Sequence, residues 1–305
     1  MPISKPGSAP CRAQPDPSGG DRFCLAGEVA VIATMHGKER VIAPVLSGSL
    51  GLDCLVPPAF DTDRFGTFTR EIERAGSPLD AVRAKAAAAF ERVPHARVAV
   101  ASEGSFGPHP EIPFAPLGRE VVLLVDRHTG LEVVGRDATM DTNFAHCIVD
   151  GPQAAFAFAE RVHFPGHGLI VMGCRGDRPD PHVALQKGIA AADALERAVR
   201  EAVALCGGAF VATDMRAHFS PTRMQAIERA TLDLVRRYGS RCPVCSCPGF
   251  DVTARVPGLP CAWCGEPTQV TRAEVLSCAA CGHRSERSVG DGALVDPGMC
   301  DHCNP

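Results

Sequence analysis

Residues 98–110 read VAVASEGSFGPHP. Val98, Ala99, Val100 and Ala101 are the small and apolar residues that end a buried strand. They deliver Ser102, Glu103, Gly104, Ser105 and His109 into a polar stretch that reads as a loop held by Gly and Pro. In open α/β sheets the loops beyond the carboxyl ends of strands form the ligand crevice. A carboxylate, two hydroxyls and a histidine in such a loop mark a candidate site, with a polar turn between two strands as the plain alternative.

Upstream, Val29 to Thr34 (VAVIAT) is a β-rich run and the expected first strand. Val41, Ile42, Val45 and Leu46 then fall at helical spacing, with Pro44 near the first turn or at a kink. Leu52 to Val56 resembles a second strand. The loop after it carries Asp61, Asp63, Thr67, Thr69 and Glu71. Pro78 to Arg92 is an Ala-rich helix with Ser77 as N-cap and Pro78 at its first position.

Downstream of the focal stretch, Glu120 to Asp126 and Glu132 to Gly135 flank the turn RHTG and predict a hairpin. A helix follows Gln153, and residues 168–173 (GLIVMG) form another buried strand. Val183 to Leu205 reads as one long amphipathic helix, Ala209 to Ala212 as a short strand, and Pro221 to Tyr238 as a helix opened by Ser220-Pro221. Strands alternating with helices predict an α/β domain with a mixed central sheet flanked by helices. Its expected span is residues 24–240, after a Pro-, Gly- and Ser-rich leader at 1–23 and before a small zinc-ribbon-like domain at 241–305.

The chain has 305 residues, a formal net charge of −4 and 45% hydrophobic residues. That composition supports a real core and supplies no global basic field for nonspecific nucleic-acid binding. No run approaches the ~18 apolar residues of a membrane-spanning helix, and the N-terminus lacks the apolar centre of an export signal. A cytoplasmic protein without a membrane partner is the expectation.

Nine of the 15 cysteines lie after Arg241, and eight of those form four CxxC pairs. They are Cys242 and Cys245, Cys261 and Cys264, Cys278 and Cys281, and Cys300 and Cys303. Without an export signal, paired thiols read as metal ligands rather than disulfides. Each CxxC turn presents two thiolates, two turns complete a tetrahedral Zn²⁺ site, and four turns predict two structural sites. The stretch from Cys261 to Cys281 resembles an ordinary zinc ribbon, which leaves Cys242 and Cys245 to join Cys300 and Cys303. Sequential pairing and a cross-brace stay open. Cys247, His283 and His302 are spare donors outside this set.

Polar residues also gather at expected strand ends. Thr34, His36 and Lys38 follow the first strand, Glu103 and Ser105 the third, and Asp126 ends the fourth. Arg175 follows GLIVMG, Asp214 and Arg216 precede the last long helix, and Lys85 sits inside the Ala-rich one. Cations beside carboxylates suit an anionic substrate with a divalent metal, because Mg²⁺ or Mn²⁺ bridges phosphate oxygens to carboxylates. Glu103, Asp126 and Asp214 are then candidate metal ligands, with His36 or His109 as general base. Thr34, Lys38, Lys85, Ser105, Arg175 and Arg216 are candidate phosphate contacts. A turn, cap or ion-pair role is the alternative for each.

The order of a strand, Thr34 to Lys38, a helix containing Lys85-Ala86, and a strand leading to Glu103 resembles the house-cleaning nucleoside triphosphate pyrophosphatase superfamily over about residues 28–136. The resemblance implies phosphate contacts from the first loop and Lys85, and Mg²⁺ binding by Glu103. His36 stands where that superfamily has Asn, and the acidic motif here is SEGSF. HGKERVIAP, DTDRFGTFTRE, ASEGSFGPHP, TDMRAHFSPTRM and the terminal CDHCNP together resemble an uncharacterised bacterial family with a zinc-ribbon tail. Two functions compete: a metal-dependent phosphohydrolase acting on a nucleotide or other phosphorylated small molecule, and a non-catalytic ligand-sensing module. In the second, the zinc tail docks a protein or nucleic acid.

Overall fold

The computed structural model describes residues 21–62 and 76–304. Most of the expected leader, and Asp63, Thr67, Thr69 and Glu71, lie outside them. The chain divides into two compact units. One comprises Leu25–His128 and Val134–Val235; the other comprises Met1–Cys24, Thr129–Val133 and Arg236–Pro305.

The first unit is α/β. In chain order it opens with β1 (Val29–Ala33), α1 (Glu39–Leu50), β2 (Asp53–Leu55), α2 (Pro78–Arg92), β3 (Val98–Pro108), β4 (Pro116–Asp126) and β5 (Leu131–Thr139). These strands form one sheet in the order β2-β1-β3-β4-β5. β1 runs parallel to β2 and β3, whereas β3 and β4 are antiparallel. Helix α2 begins as its sequence dictates. Ser77 accepts from the Asp80 backbone N–H at 3.2 Å, and Asp80 accepts from the Ser77 backbone N–H at 3.0 Å. That reciprocal cap satisfies two donors the first turn leaves open. Val82, Ala86 and Ala89 of α2 pack on Val31, Ala33, Ala99 and Ala101. Small side chains on both surfaces bring helix and sheet close together.

Where the sequence reads as a loop after Ala101, the structure has strand. β3 continues to Pro108, in an unbroken ladder that pairs Ala101 with Leu123, Gly104 with Glu120 and Pro108 with Pro116. β1 pairs with β3 only as far as Ala33 opposite Ala101. Beyond that point β3 keeps its partner on the β4 side, while the turn from Thr34 to Lys38 follows the end of β1. The polar residues therefore stand on a rigid strand.

The remaining elements of this unit are β6 (His146–Val149), α3 (Pro152–Arg161), β7 (Leu169–Arg175), β8 (Arg178–Asp180), β9 (Gln186–Ile189), α4 (Ala192–Cys206), β10 (Gly208–Thr213) and α5 (Pro221–Gly239). A second sheet has the order β6-β10-β7-β8, with β9 also on β7. Leu195, Ala198, Val199 and Ala202 of α4 pack against Leu169, Val171, Ala209 and Val211. The expected long helix from Val183 is interrupted. Residues 186–189 are strand because they pair with β7, Gln186 with Val171 and Ile189 with Leu169, and at the irregularity between them Gly188 adopts φ +71° and donates its N–H to Asp214 Oδ2 at 3.0 Å. Helix α5 buries Ile227, Ala230 and Leu234. Gly135 of β5 lets that helix approach, since a Cβ there would lie 2.5 Å from the Leu234 nitrogen.

The second unit is a three-stranded antiparallel meander of β11 (Asp251–Pro257), β12 (Thr271–Ser277) and β13 (Arg284–Ser288). Its small core is Phe23, Cys242, Cys247, Phe250 and Cys278. The described chain is thus a mixed α/β protein with three sheets, five α-helices and a small cysteine-rich module at its C-terminal end.

Candidate anion crevice and metal centres

The eight knuckle cysteines form two tetrads, Cys242, Cys245, Cys278 and Cys281, and Cys261, Cys264, Cys300 and Cys303. Within each, every sulfur lies within 4.8 Å of the others. The Sγ–Sγ separations include 3.7 Å for Cys242–Cys281, 3.6 Å for Cys245–Cys278, 3.9 Å for Cys261–Cys303 and 3.7 Å for Cys264–Cys300. A tetrahedron with Zn–S bonds of about 2.3 Å has edges of roughly 3.8 Å, so the donor set fits zinc. Four sulfurs complete the coordination shell and leave no open position for catalysis. The backbone N–H groups of Cys264 and Trp263 hold the Cys261 thiol down at about 7, toward the thiolate that a metal needs.

The pairing is the cross-brace, first knuckle with third and second with fourth. The ribbon pairing of Cys261 and Cys264 with Cys278 and Cys281 is corrected by this geometry. The reason is strand length. One strand separates each knuckle from the next, and a seven-residue strand spans roughly 20 Å. Consecutive knuckles therefore fall at opposite ends of the sheet and alternate ones meet. Cys247, His283 and His302 stay outside both tetrads; Cys247 is core, and the His283 ring stacks on Phe250 at 5.7 Å.

In the α/β unit, alternation along β3 sends Ser102 and Gly104 to one face and Glu103 to the other. On the α2 face, Lys85 Nζ contacts Glu103 Oε2 at 2.5 Å, with both side chains buried. On the opposite face, Glu120 stands directly across from Gly104. Arg223 of α5 donates from Nε to Glu120 Oε1 at 2.6 Å, and from Nη1 to the Met215 carbonyl. Gly104 is required there. A Cβ on it would run into Glu120 Oε1 and lie 2.7 Å from Arg223 Nη2. Glu120 Oε2 is buried and has no hydrogen-bond partner among the described residues.

Lys38 comes from the turn after β1 and occupies the N-cap position of α1, where its side chain makes no capping bond. Its Nζ donates to Ser102 Oγ at 3.0 Å and to the Ser102 carbonyl at 3.3 Å. Burial pushes its amine down to about 7, reinforced by the charges of Arg223 and Lys85 and opposed by Glu120 and Glu103. Thr34 is buried and accepts the His36 N–H at 3.4 Å, which tightens the same turn. The His36 ring stacks on His218 at 5.1 Å. His218 is lowered by burial and by Arg216 and Arg40, against Asp214 and a hydrogen bond that its ring donates to the His36 backbone.

Thr34, His36 and Lys38 share the turn after β1, where Lys38 meets Ser102, while Lys85 pairs with Glu103 on the α2 face of β3; the His36–His218 stack joins that turn to the Asp214–Arg216 segment. Asp214 itself is fully engaged. It accepts from Arg216 Nη2 at 2.6 Å and from the Gly188 N–H, and so locks the entry to α5. Ser105 lies on β3, half-buried and opposite Arg119. Three candidates are placed elsewhere. Asp126 pairs with Val98, five residues along β4 from the partner of Glu103, or roughly 17 Å. There it takes a two-point ion pair from Arg97, at 3.2 and 3.0 Å. Arg175 is at the end of β7 remote from Leu169, the partner of Thr213, again roughly 20 Å from Asp214. His109 lies past the end of β3, where Nδ1 accepts the Glu111 and Ile112 N–H groups.

Glu120 and Arg223 were not singled out by sequence reasoning, though a signal for Arg223 exists. It lies four residues before Ile227 on the stripe that continues to Ala230 and Leu234, so helical periodicity puts a guanidinium on a buried face. Glu120 looked like the polar start of an apolar strand.

The second unit carries a groove of about 540 Å³ lined by Arg236, Arg237, Arg255 and Arg287 with Asp251 and Glu274. Asp251 accepts from Arg236 at 2.9 Å and pairs with Arg237 at 3.0 Å, and Glu274 accepts from Arg287 at 2.6 Å.

Fold and sites together define an α/β protein with a C-terminal module built on two four-cysteine centres. The chain belongs to the family described as a domain of unknown function (DUF6671), whose profile matches residues 87–305. That span includes Glu103, Glu120, Arg223 and all eight knuckle cysteines, and it begins just after Lys85. No curated protein matches the chain. Among the described residues, no helix is long and apolar enough to cross a membrane.

Proposed function

We propose that the α/β unit binds a small phosphate-bearing molecule beside Ser102, and that the two tetrads hold structural zinc. One observation carries the binding reading: the basic groups of Lys38, Lys85 and Arg223 are all buried, with Glu103 and Glu120 as the carboxylates paired to them among the described residues. Lys85 and Arg223 each have one of these, and Lys38 has a serine. A dianionic group beside Lys38 favours its protonated form and gives it the charged partner it lacks among the described residues, and a site with little water strengthens that attraction. Calorimetric titration with inorganic phosphate, pyrophosphate and nucleotides tests this. Saturable binding that Lys38→Met weakens at least tenfold is the expected result. A panel that never binds, or binds the variant equally well, rejects it.

A second reading, Mg²⁺-dependent phosphate-ester hydrolysis, is favoured by Oε2 of Glu120, which has no hydrogen-bond partner among the described residues. Glu103 is held by Lys85, so Glu120 is the carboxylate with an oxygen to offer. Phosphate release assayed with Mg²⁺ or Mn²⁺ tests it, and turnover must fall at least a hundredfold in Glu120→Gln. Equal turnover in that variant removes Glu120 from the chemistry.

A further inference from the structure

We infer that Lys38 is a nucleophilic amine, which forms an imine with the carbonyl carbon of a small oxo acid or phosphorylated aldehyde. The position of that substrate rests on the anion-binding reading above.

Composition is the first support. Of the 31 basic residues, 27 are arginines and only four are lysines, at 5, 38, 85 and 187. Where this chain needs a positive charge it uses Arg almost throughout, yet two of its four lysines, Lys38 and Lys85, are buried, close enough for the Lys85 charge to act on the Lys38 amine. Lysine differs from arginine in being able to give up its proton and attack carbon.

Hydrogen bonding is the second support. An ammonium has three N–H groups, whereas a neutral amine has two and a lone pair. Lys38 Nζ has two acceptors among the described residues, both on Ser102, and no carboxylate within ion-pair distance. Two acceptors match the two N–H groups of the neutral amine. Its surroundings act in the same direction. Burial brings the amine down to about 7, and Arg223 of α5 and Lys85 of α2 act the same way against Glu120 of β4 and Glu103 of β3. Roughly half of it then carries a lone pair at neutral pH, on the order of a thousandfold more than for an ordinary lysine near 10.4.

In the step itself, the Nζ lone pair forms a bond to the carbonyl carbon while the C=O π bond breaks. One amine proton passes to the oxygen, with Ser102 Oγ in place to relay it. The carbinolamine then loses water, using the second amine proton, and leaves the C=N bond. Amine and carbonyl are consumed, imine and water are formed, and no oxidant or reductant takes part. An iminium form restores the positive charge that an anionic substituent on the substrate neutralises.

The test uses the full-length, zinc-loaded chain with glyoxylate and, separately, pyridoxal phosphate. Each imine is trapped with borohydride and located by peptide mass spectrometry. With four lysines the assignment is unambiguous. At pH 7, Lys38 is expected to carry at least ten times the label of any other lysine, with half-maximal labelling near pH 7 and protection by pyrophosphate. Lys38→Arg loses this label while the other lysines keep theirs. Label confined to the other lysines overturns the inference. If pyrophosphate still binds in that case, the anion reading survives alone. Strong labelling of Lys38 that pyrophosphate never reduces supports the amine and overturns the anion reading.

Discussion

Gly104 faces Glu120 across the β3–β4 ladder, and a methyl group there has nowhere to go. Its Cβ would lie 2.7 Å from Arg223 Nη2 and 2.9 Å from the Glu120 carboxyl carbon, where real contacts need well over 3 Å. Glu120 and Arg223 are both about 1% exposed, so neither displaced charge reaches water. Separating a buried ion pair costs about 3–5 kcal/mol. Partial relaxation reduces that, and alanine regains about 0.5–1 kcal/mol of backbone entropy relative to glycine. Gly104→Ala is therefore expected to cost roughly 2–4 kcal/mol. At about 2–4 °C per kcal/mol for a unit of this size, its calorimetric transition should fall by roughly 4–16 °C. Gly107, three residues along the same strand, has nothing within 4 Å of the place a methyl group would take. Gly107→Ala should leave the transition within about 2 °C of the parent. Equal melting of Gly104→Ala and the parent would refute the close packing of Gly104 against the ion pair.

Other consequences are equally open to measurement. Glu103→Gln leaves Lys85 buried without its 2.5 Å partner and should cost about 3–5 kcal/mol, partly recovered in Lys85→Met/Glu103→Gln; an undisturbed denaturant midpoint in the single variant contradicts this. Zinc analysis should find two equivalents per chain, one in Cys242→Ser/Cys278→Ser, and fewer than one in Cys242→Ser/Cys261→Ser. The reverse order for the two double variants rules out the cross-brace. For Lys38, the folded amine is lowered to about 7 from its ordinary value of 10.5, so between those values the unfolded chain binds the extra proton. Its unfavourable contribution is full below pH 7 and is relieved as pH rises toward 10. Lys38→Met should consequently gain stability over the parent by on the order of 4 kcal/mol more at pH 6 than at pH 10. A stability difference that is flat with pH contradicts the burial of that charge.

Local signals were well written in the sequence. The Ser77-Pro78-x-Asp80 start fixed α2, because the cap needs only neighbouring residues, and the CxxC spacing fixed the ligands. What the sequence left open depended on distant partners. Ser102 to Pro108 has loop-like composition, and only the β4 ladder makes it strand. Gln186 to Ile189 continues a helical pattern, and only pairing with β7 makes it strand, with Asp214, 26 residues away, holding the Gly188 N–H. The tetrad pairing follows from strands lying between all the knuckles, although β11 and β13 are polar and weakly patterned (β13 is exposed throughout). In the crevice, Lys38, Lys85 and Glu103 were legible at strand and helix positions. Arg223 lies 103 residues from Glu120, and their pairing follows only from the packing of α5.

The most direct test of the crevice is the titration of the lysine amines by NMR, in a chain that has only four of them. The Lys38 amine should titrate near pH 7 in the free protein and shift upward when pyrophosphate is added. A Lys38 amine that titrates near 10, unmoved by any phosphate-bearing ligand, would contradict the account.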